Sequence, residues 1–145
     1  MGTAREVVDR FYDAFNGRRV NKEEGAKLFE PSLESIDPSG TYNGIEAFLA
    51  YVQGYVTAAP DSKISLRHIV ETGDVVLCEG EFTGTNTGPL ASPQGTMPAT
   101  GKRFVLKFAD VFEVKNDKIA KHRTYYDQMA FLGQLGLLPQ PASTH

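Results

Sequence analysis

One cysteine, Cys78, is all the thiol chemistry this sequence offers. An internal disulfide and a cysteine-based metal cluster are thereby excluded. Its setting in the run Val75-Val76-Leu77-Cys78 predicts a buried, inert thiol. Basic residues are also scarce: 15 Lys and Arg stand against 18 Asp and Glu, for a net charge of -3. Phosphate backbones are bound by basic stripes, and none is present, which argues against a nucleic-acid partner. The adjacent pairs Arg18-Arg19 and Lys102-Arg103 read as solvated surface. No apolar run approaches the roughly 20 residues that a membrane-spanning helix requires. The N-terminus lacks a basic segment followed by an apolar core, so no secretory signal is expected and a cytoplasmic location is the default. The three histidines, His68, His122 and His145, are spaced without a metal-ligand pattern. No metal and no cofactor are expected.

What is present is an ordinary globular composition, 145 residues with 41% hydrophobic and 23% charged side chains. That length suits one domain able to bury a core without staples, expected over residues 1–138 with a tail at 139–145. The chain is organised around its last third, residues 104–138, which reads as strand, tight turn, strand and short helix. In the first of these strands Phe104, Leu106, Phe108, Phe112 and Val114 share one parity, and successive strand side chains point to opposite faces. Asp110 falls on the same apolar parity. Asn116-Asp117 supplies a hairpin-type turn, and the next strand runs out at Tyr125-Tyr126-Asp127. A carboxylate among apolar groups tends toward a pKa useful for proton transfer, which makes Asp110 and Asp127 acid/base candidates. The competing structural reading has Asp110 capping a loop amide and Asp127 serving as the N-cap of the last helix.

Upstream, helical spacing predicts a first helix over Ala4 to Asn16, with Val7, Val8, Phe11, Ala14 and Phe15 inward and Tyr12 at the border of the stripe. A second helix is expected over Lys22 to Leu28, with Ala26, Leu28 and Phe29 as its apolar set and Pro31 as its stop. A short strand through Leu33 and Ile36 ends at the turn Asp37-Pro38-Ser39-Gly40. A third helix is expected over Ile45 to Ala58, with Phe48, Leu49, Tyr51, Val52, Tyr55 and Val56 inward. Strands follow: Ile64, Leu66 and, across a parity change, Ile69 and Val70, then Val75 to Thr83. Residues 84–101 carry four glycines and three prolines without periodicity. Such a segment reads as a hairpin connection at a pocket mouth, its plain alternative being a surface hairpin. Helices first and antiparallel strands afterwards describe an α+β domain. A curled sheet covered by helices leaves a cone with an apolar wall, a site for a small molecule.

Several of these segments resemble the SnoaL-like polyketide cyclase family of the NTF2-like superfamily. They are Asp37-Pro38-Ser39-Gly40 with Gly44-Ile45-Glu46-Ala47-Phe48, then Ala59-Pro60-Asp61, Gly84-Thr85-Asn86-Thr87-Gly88-Pro89-Leu90 and the ending through Tyr126-Asp127. The resemblance covers nearly the whole chain. It implies a cone-shaped α+β fold, a cofactor-free pocket for an apolar carbonyl compound, and a homodimer through the outer sheet face. It also implies aldol chemistry with Asp127 as the acid/base residue. Where many relatives carry a histidine in the hairpin this chain has Asn86, which orients a carbonyl but shuttles no proton. The chain is more distantly similar to ketosteroid isomerases, whose base and oxyanion carboxylic acid match Asp37 and Asp110. The oxyanion tyrosine of that family falls on Phe11, with Tyr12 one residue off and facing elsewhere. Limonene-type epoxide hydrolases share the Tyr126-Asp127 ending, but Glu79-Gly80-Glu81 lacks their arginine.

The expected catalytic set is therefore Asp127, Asp110 and Asp37. Tyr12, Tyr42, Asn86, His122, Tyr125 and Phe108 are the expected substrate-binding groups. On a flat strand His122 shares parity with Tyr126, while Arg123, Tyr125 and Asp127 take the other face. The alternative function is a non-catalytic ligand-binding or dimerisation module, since fold does not imply function. The two differ in whether at least two of Asp37, Asp110 and Asp127 converge on one cavity.

Overall fold

A computed structural model describes residues 3–92 and 95–137. The expected tail at 139–145, with His145, lies outside the described residues. Helix α1 (Ala4–Asn16) buries Val7, Val8, Phe11, Tyr12, Ala14 and Phe15 along one face, and Thr3 caps it by accepting from the Glu6 amide. Tyr12 belongs to the buried stripe, not to its border. The helix ends at Asn16-Gly17 as expected, but the left-handed residue is Arg18, with φ 58°. Tertiary contacts hold it there. The Arg18 guanidinium donates to the carbonyls of Pro60 and Ser62. Asn16 brackets the Ile64 amide and carbonyl, both at 2.9 Å.

Helix α2 (Lys22–Leu28) is capped by Asn21 and buries Gly25 and Leu28. Ala26, expected inward, is exposed. Pro31 is not its stop; it lies inside strand β1 (Phe29–Asp37). The pairing of that strand shifts register between Phe29 and Glu34, where a proline deprives no regular ladder of a donor. Helix α3 (Ile45–Ala58) follows strand β2 (Gly40–Asn43) and buries Phe48 and Val52.

The main sheet then forms from β3 (Lys63–Thr72), β4 (Val75–Thr85), β7 (Arg103–Lys115) and β8 (Lys118–Tyr126) together with the first two strands. Its order is β2-β1-β8-β7-β4-β3, and β1 with β8 is the parallel pair. Asn116 and Asp117, at φ 53° and 60°, make the tight turn between β7 and β8. A register shift between Leu66 and His68 bends β3. It is the expected parity change: Ile64 and Leu66 before it and Ile69 after it are half-buried, while Val70 turns outward. The inner face reads directly from the register. Ser35, His122, Phe112 and Val76 form one row across β1, β8, β7 and β4, and Thr124, Asp110 and Cys78 form the next. The outer face exposes Val70, Leu77, Val105 and Tyr125, the surface on which the expected homodimer would form.

Residues 84–101 carry a short hairpin, β5 (Leu90–Ser92) with β6 (Gly95–Met97). Its base is fastened to the end of α3 by Asn86, which is 1% exposed. The Asn86 amide donates to the Ala58 carbonyl (3.1 Å) and the Gly88 carbonyl (2.8 Å), and its oxygen accepts from the Thr100 amide (2.9 Å) and hydroxyl (3.1 Å). Beside it Gly88 runs against α3 so closely that a Cβ would sit 2.0 Å from the Thr57 carbonyl oxygen. Replacing Asn86 with alanine takes these bonds from the half-buried Gly88 carbonyl and Thr100 amide, while the Ala58 carbonyl still accepts from the Gly88 amide at 3.1 Å. A loss of about 2–3 kcal/mol is expected in urea unfolding. A loss below about 0.5 kcal/mol would show that the clasp is dispensable. Helix α4 (Gln128–Gln134) closes the described chain, and Phe131 packs edge-on against Phe104 at 5.1 Å. No helix among the described residues is long and apolar enough to cross a membrane.

Candidate functional site

The helices cover the inner face of the curved sheet and leave a cavity of about 90 Å³ between them. Its walls are Phe11 and Phe15 of α1, Phe48, Tyr51, Val52 and Tyr55 of α3, and Phe82, Leu106 and Phe108 of the sheet. Asp110, His122, Thr124 and Tyr126 bring polar atoms into it because they share the inward parity of β7 and β8. Asp110 and His122 are each 5% exposed.

These two side chains are diagonal neighbours on the sheet. His122 Nε2 lies 3.3 Å from Asp110 Oδ1, but out of line for a hydrogen bond, and neither atom has another partner among the described residues. Each is held from behind. The Tyr12 hydroxyl donates to Asp110 Oδ2, and Ser35 Oγ meets His122 Nδ1 at 2.9 Å. If the Ser35 hydroxyl donates to Nδ1, the neutral imidazole carries its proton on Nε2, facing the carboxylate. If Ser35 accepts instead, the ring has a proton on Nδ1. The imidazole is wedged by aromatic rings: Phe112 stacks on it at 4.8 Å and Phe48 meets it edge-on at 5.6 Å. Burial, then the charge of Asp110, raises the Tyr12 pKa far above the ordinary phenol range, so Tyr12 remains a neutral donor. Burial likewise pushes the nearby Cys78 thiol up to about 11.

A wider groove of about 690 Å³ lies on the other side of Tyr51, Tyr55 and Tyr126, which line both spaces. It is bounded by Pro38, Ser39 and Tyr42, by the α3 residues Ala47, Ala50 and Gly54, by Leu90 and Met97 of the hairpin, and by Phe131 and Leu132 of α4. The hairpin therefore does form part of a pocket mouth. Tyr55 and Tyr126 join their hydroxyls at 2.8 Å across the boundary. Asp37, which precedes the groove residues Pro38 and Ser39, is 6% exposed. Its Oδ1 closes the turn by accepting from the Ser39 amide (2.8 Å), the Ser39 hydroxyl (2.6 Å) and the Gly40 amide (3.1 Å). Its Oδ2 has no hydrogen-bond partner of normal geometry among the described residues.

The structure thus sorts the expected site residues into groups. Asp110, His122 and Phe108 line the inner cavity and Tyr42 lines the groove; Asp37 lines neither, though Pro38 and Ser39, which follow it, line the groove. Tyr12 does not face elsewhere; it backs Asp110, while Phe11 occupies the cavity wall. Three expected residues lie away from both spaces. Asp127 is exposed and caps α4 by accepting from the Ala130 amide at 2.9 Å. Tyr125 is 57% exposed on the outer sheet face. Asn86 has its side chain fully occupied in the hairpin clasp. Convergence of two carboxylates on one cavity is not what the fold provides; a histidine stands beside Asp110 instead. Ser35, Tyr51, Tyr55, Thr124 and Tyr126 were not among the expected site residues. For Thr124 and Tyr126 the signal was their shared parity with His122, and for Tyr51 and Tyr55 their spacing on one face of α3. Ser35 gave no such signal.

The sequence profile of SnoaL-like polyketide cyclases matches residues 6–135. Among curated proteins none matches the chain in sequence. Among solved structures, a candidate SnoaL-like polyketide cyclase from Jannaschia sp. CCS1 superposes with a TM-score of 0.80 at 19% identity, covering 94% of this chain and 93% of that one. IdmH from Streptomyces antibioticus, itself a candidate polyketide cyclase, gives 0.76 at 26% identity over 93% and 99% of the two chains. An NTF2-like protein from Burkholderia pseudomallei K96243 gives 0.72 at 18% identity over 93% and 98%. The architecture is the α+β cone of the NTF2-like proteins, and the chain belongs to the SnoaL-like polyketide cyclase family.

Proposed function

We propose that this protein is a cofactor-independent acid/base enzyme acting on an apolar carbonyl compound, with Asp110 and His122 as its working pair. The observation that carries this reading is the pair of atoms Asp110 Oδ1 and His122 Nε2, buried in an aromatic cavity 3.3 Å apart and otherwise unpartnered. Unsatisfied buried polar atoms are destabilising; a substrate carbonyl oxygen accepting from Nε2 satisfies the histidine, and the proton of the neighbouring carbon goes to Oδ1. Asp110 Oδ1 takes a proton from the carbon beside the carbonyl. His122, carrying its proton on Nε2, donates a hydrogen bond to the oxygen as the enolate forms. The enolate carbon then either attacks a second carbonyl of the same molecule, which is an aldol ring closure, or is reprotonated elsewhere, which is an isomerisation. In the ring closure the proton held by Asp110 passes to the new alkoxide. Tyr12 and Ser35 position the pair. A cavity of about 90 Å³ admits only the reacting end of a ligand. The body, for which sites of about 300–1,000 Å³ are usual, occupies the groove beyond Tyr51, Tyr55 and Tyr126. A non-catalytic binding module is the second reading, favoured by the small volume of the inner cavity.

Exchange of α-protons for solvent deuterium, followed by NMR on a panel of polyketone and cyclic enone probes, separates these readings. Wild type is expected to exchange them, and Asp110→Asn to exchange about 10²–10⁴-fold more slowly. Asp127→Asn is expected to match wild type. Loss of exchange in Asp127→Asn with Asp110→Asn unaffected would return the base to the end of β8. Binding of the probes without any exchange would leave the binding module.

A further inference from the structure

The inner pair accounts for one end of a ligand; Asp37 points to the other. In proteins a buried carboxyl oxygen without a donor is rare, and Asp37 Oδ2 is one, although Oδ1 of the same group already collects three donors. The three-donor turn fixes the orientation of the carboxyl, so Oδ2 cannot swing round to share those donors. Its surroundings are phenolic. Pro38 and Ser39, which follow it, line the groove, and Ser39 Oγ also reaches the Tyr42 hydroxyl at 2.9 Å. Burial first, and the Asp37 charge among the further causes, raises the pKa of Tyr51, Tyr55 and Tyr126. Tyr55 and Tyr126 spend their hydroxyls on each other. Hydrogen bonding to Asp37 is also among the causes that raise the Tyr51 pKa, so the Tyr51 hydroxyl faces this carboxyl. It makes no bond of normal geometry to Oδ2. Asp37 Oδ2 is therefore left without a well-aligned donor.

We propose that Asp37 Oδ2 is the acceptor for a hydroxyl group at the far end of the ligand. The ligand class is then a hydroxylated aromatic or enolic carbonyl compound, with its carbonyl at Asp110 and His122 and its hydroxyl at Asp37. The tyrosine boundary between the two spaces supplies flat ring faces for the apolar body between these poles. Asp37 is here a specificity-determining residue and takes no proton. The inference rests on the proposed ligand site but not on its chemistry.

The test is binding, measured by quenching of probe fluorescence. The probes are an acetylnaphthalene with hydroxyl and acetyl groups on opposite rings, its methyl ether and the parent ketone. Wild type is expected to bind the hydroxylated probe about tenfold more tightly than the methyl ether, the discrimination one buried hydrogen bond supplies. Asp37→Asn keeps an oxygen for the Ser39 and Gly40 donors and puts an amide donor where Oδ2 was. It is expected to lose or reverse the preference while retaining the wild-type circular dichroism spectrum. Asp110→Asn is expected to slow proton exchange yet keep the preference for the hydroxyl. Equal binding of hydroxylated probe and ether by wild type, or an unchanged preference in Asp37→Asn, overturns the inference while the acid/base reading stands. Failure of all three probes to bind removes the ligand site itself, and both readings with it.

Discussion

Truncating Phe48 to alanine is expected to remove about 3–5 kcal/mol of unfolding free energy, the usual range for a buried phenylalanine. Phe48 is 1% exposed and is the point at which α3 rests on the rest of the core. Its ring lies 5.0 Å from Phe29 of β1, 5.9 Å from Phe11 of α1 and 5.6 Å from His122 of β8. Three separate elements thus lose a contact at once. The void adjoins the inner cavity, so the variant also frees the His122 ring on one side. Urea unfolding with an unchanged m-value is the measurement. A loss under about 1 kcal/mol would mean that α3 is held mainly by its edges, through the hairpin clasp and the turn after β1.

Alkali is expected to unfold the protein steeply between about pH 10 and 11, because phenols are buried where their anions cannot be solvated. Tyr12, Tyr51 and Tyr126 have pKa values far above the ordinary 10.0, and Tyr55 is pushed up to about 12; burial is the first cause in each. The sign follows from which state releases protons. Below pH 10 folded and unfolded chains both carry neutral phenols, so this contribution to stability is fully present. Above it the unfolded chain ionises and the folded chain does not, and stability is lost. Each such group removes roughly 1.4 kcal/mol per pH unit. Four of them together rival the roughly 5–15 kcal/mol that holds a typical domain. Cys78, with its thiol raised to about 11, acts in the same direction. Phenolate absorbance is expected to rise for these four tyrosines together with the loss of circular dichroism. Their ionisation while the spectrum of the fold is intact would contradict the burial of the boundary rings.

Much of this architecture was legible in residue patterns. The three N-terminal helices have their expected limits, α1 and α2 each behind a capping side chain, although Pro31 lies within β1 and does not stop α2. The parity of β7 placed Asp110 among phenylalanines before any contact was known. The site was harder to read, for reasons of physics. At the junction Tyr126-Asp127 one short carboxylate suits a pocket or a helix cap equally well, and the local amide of Ala130 won it. Parity correctly separated His122 from Asp127, but it does not say which of the two faces carries the cavity. Asn86 has the chemistry of a ligand group, and only the approach of Ala58 and Thr100, distant in sequence, turns it into a structural clasp. Ser35 was hidden because the strand was read through Leu33 and Ile36, whereas the inward set is Leu33, Ser35 and Asp37.

The parallel pairing of β1 with β8 has a consequence for how such a molecule is made. Ser35 and His122 are 87 residues apart, and no hairpin brings them together. Closing so long a loop is entropically unfavourable until the intervening strands have already paired. During synthesis the N-terminal helices and β1 emerge first, and β1 then has only the short β2 to pair with. The β7–β8 hairpin, which forms locally, must be complete before β1 can dock beside it. The inner pair is therefore assembled only when the last third of the chain has left the ribosome. A nascent chain short of β8 has neither the histidine nor the strand that positions its serine.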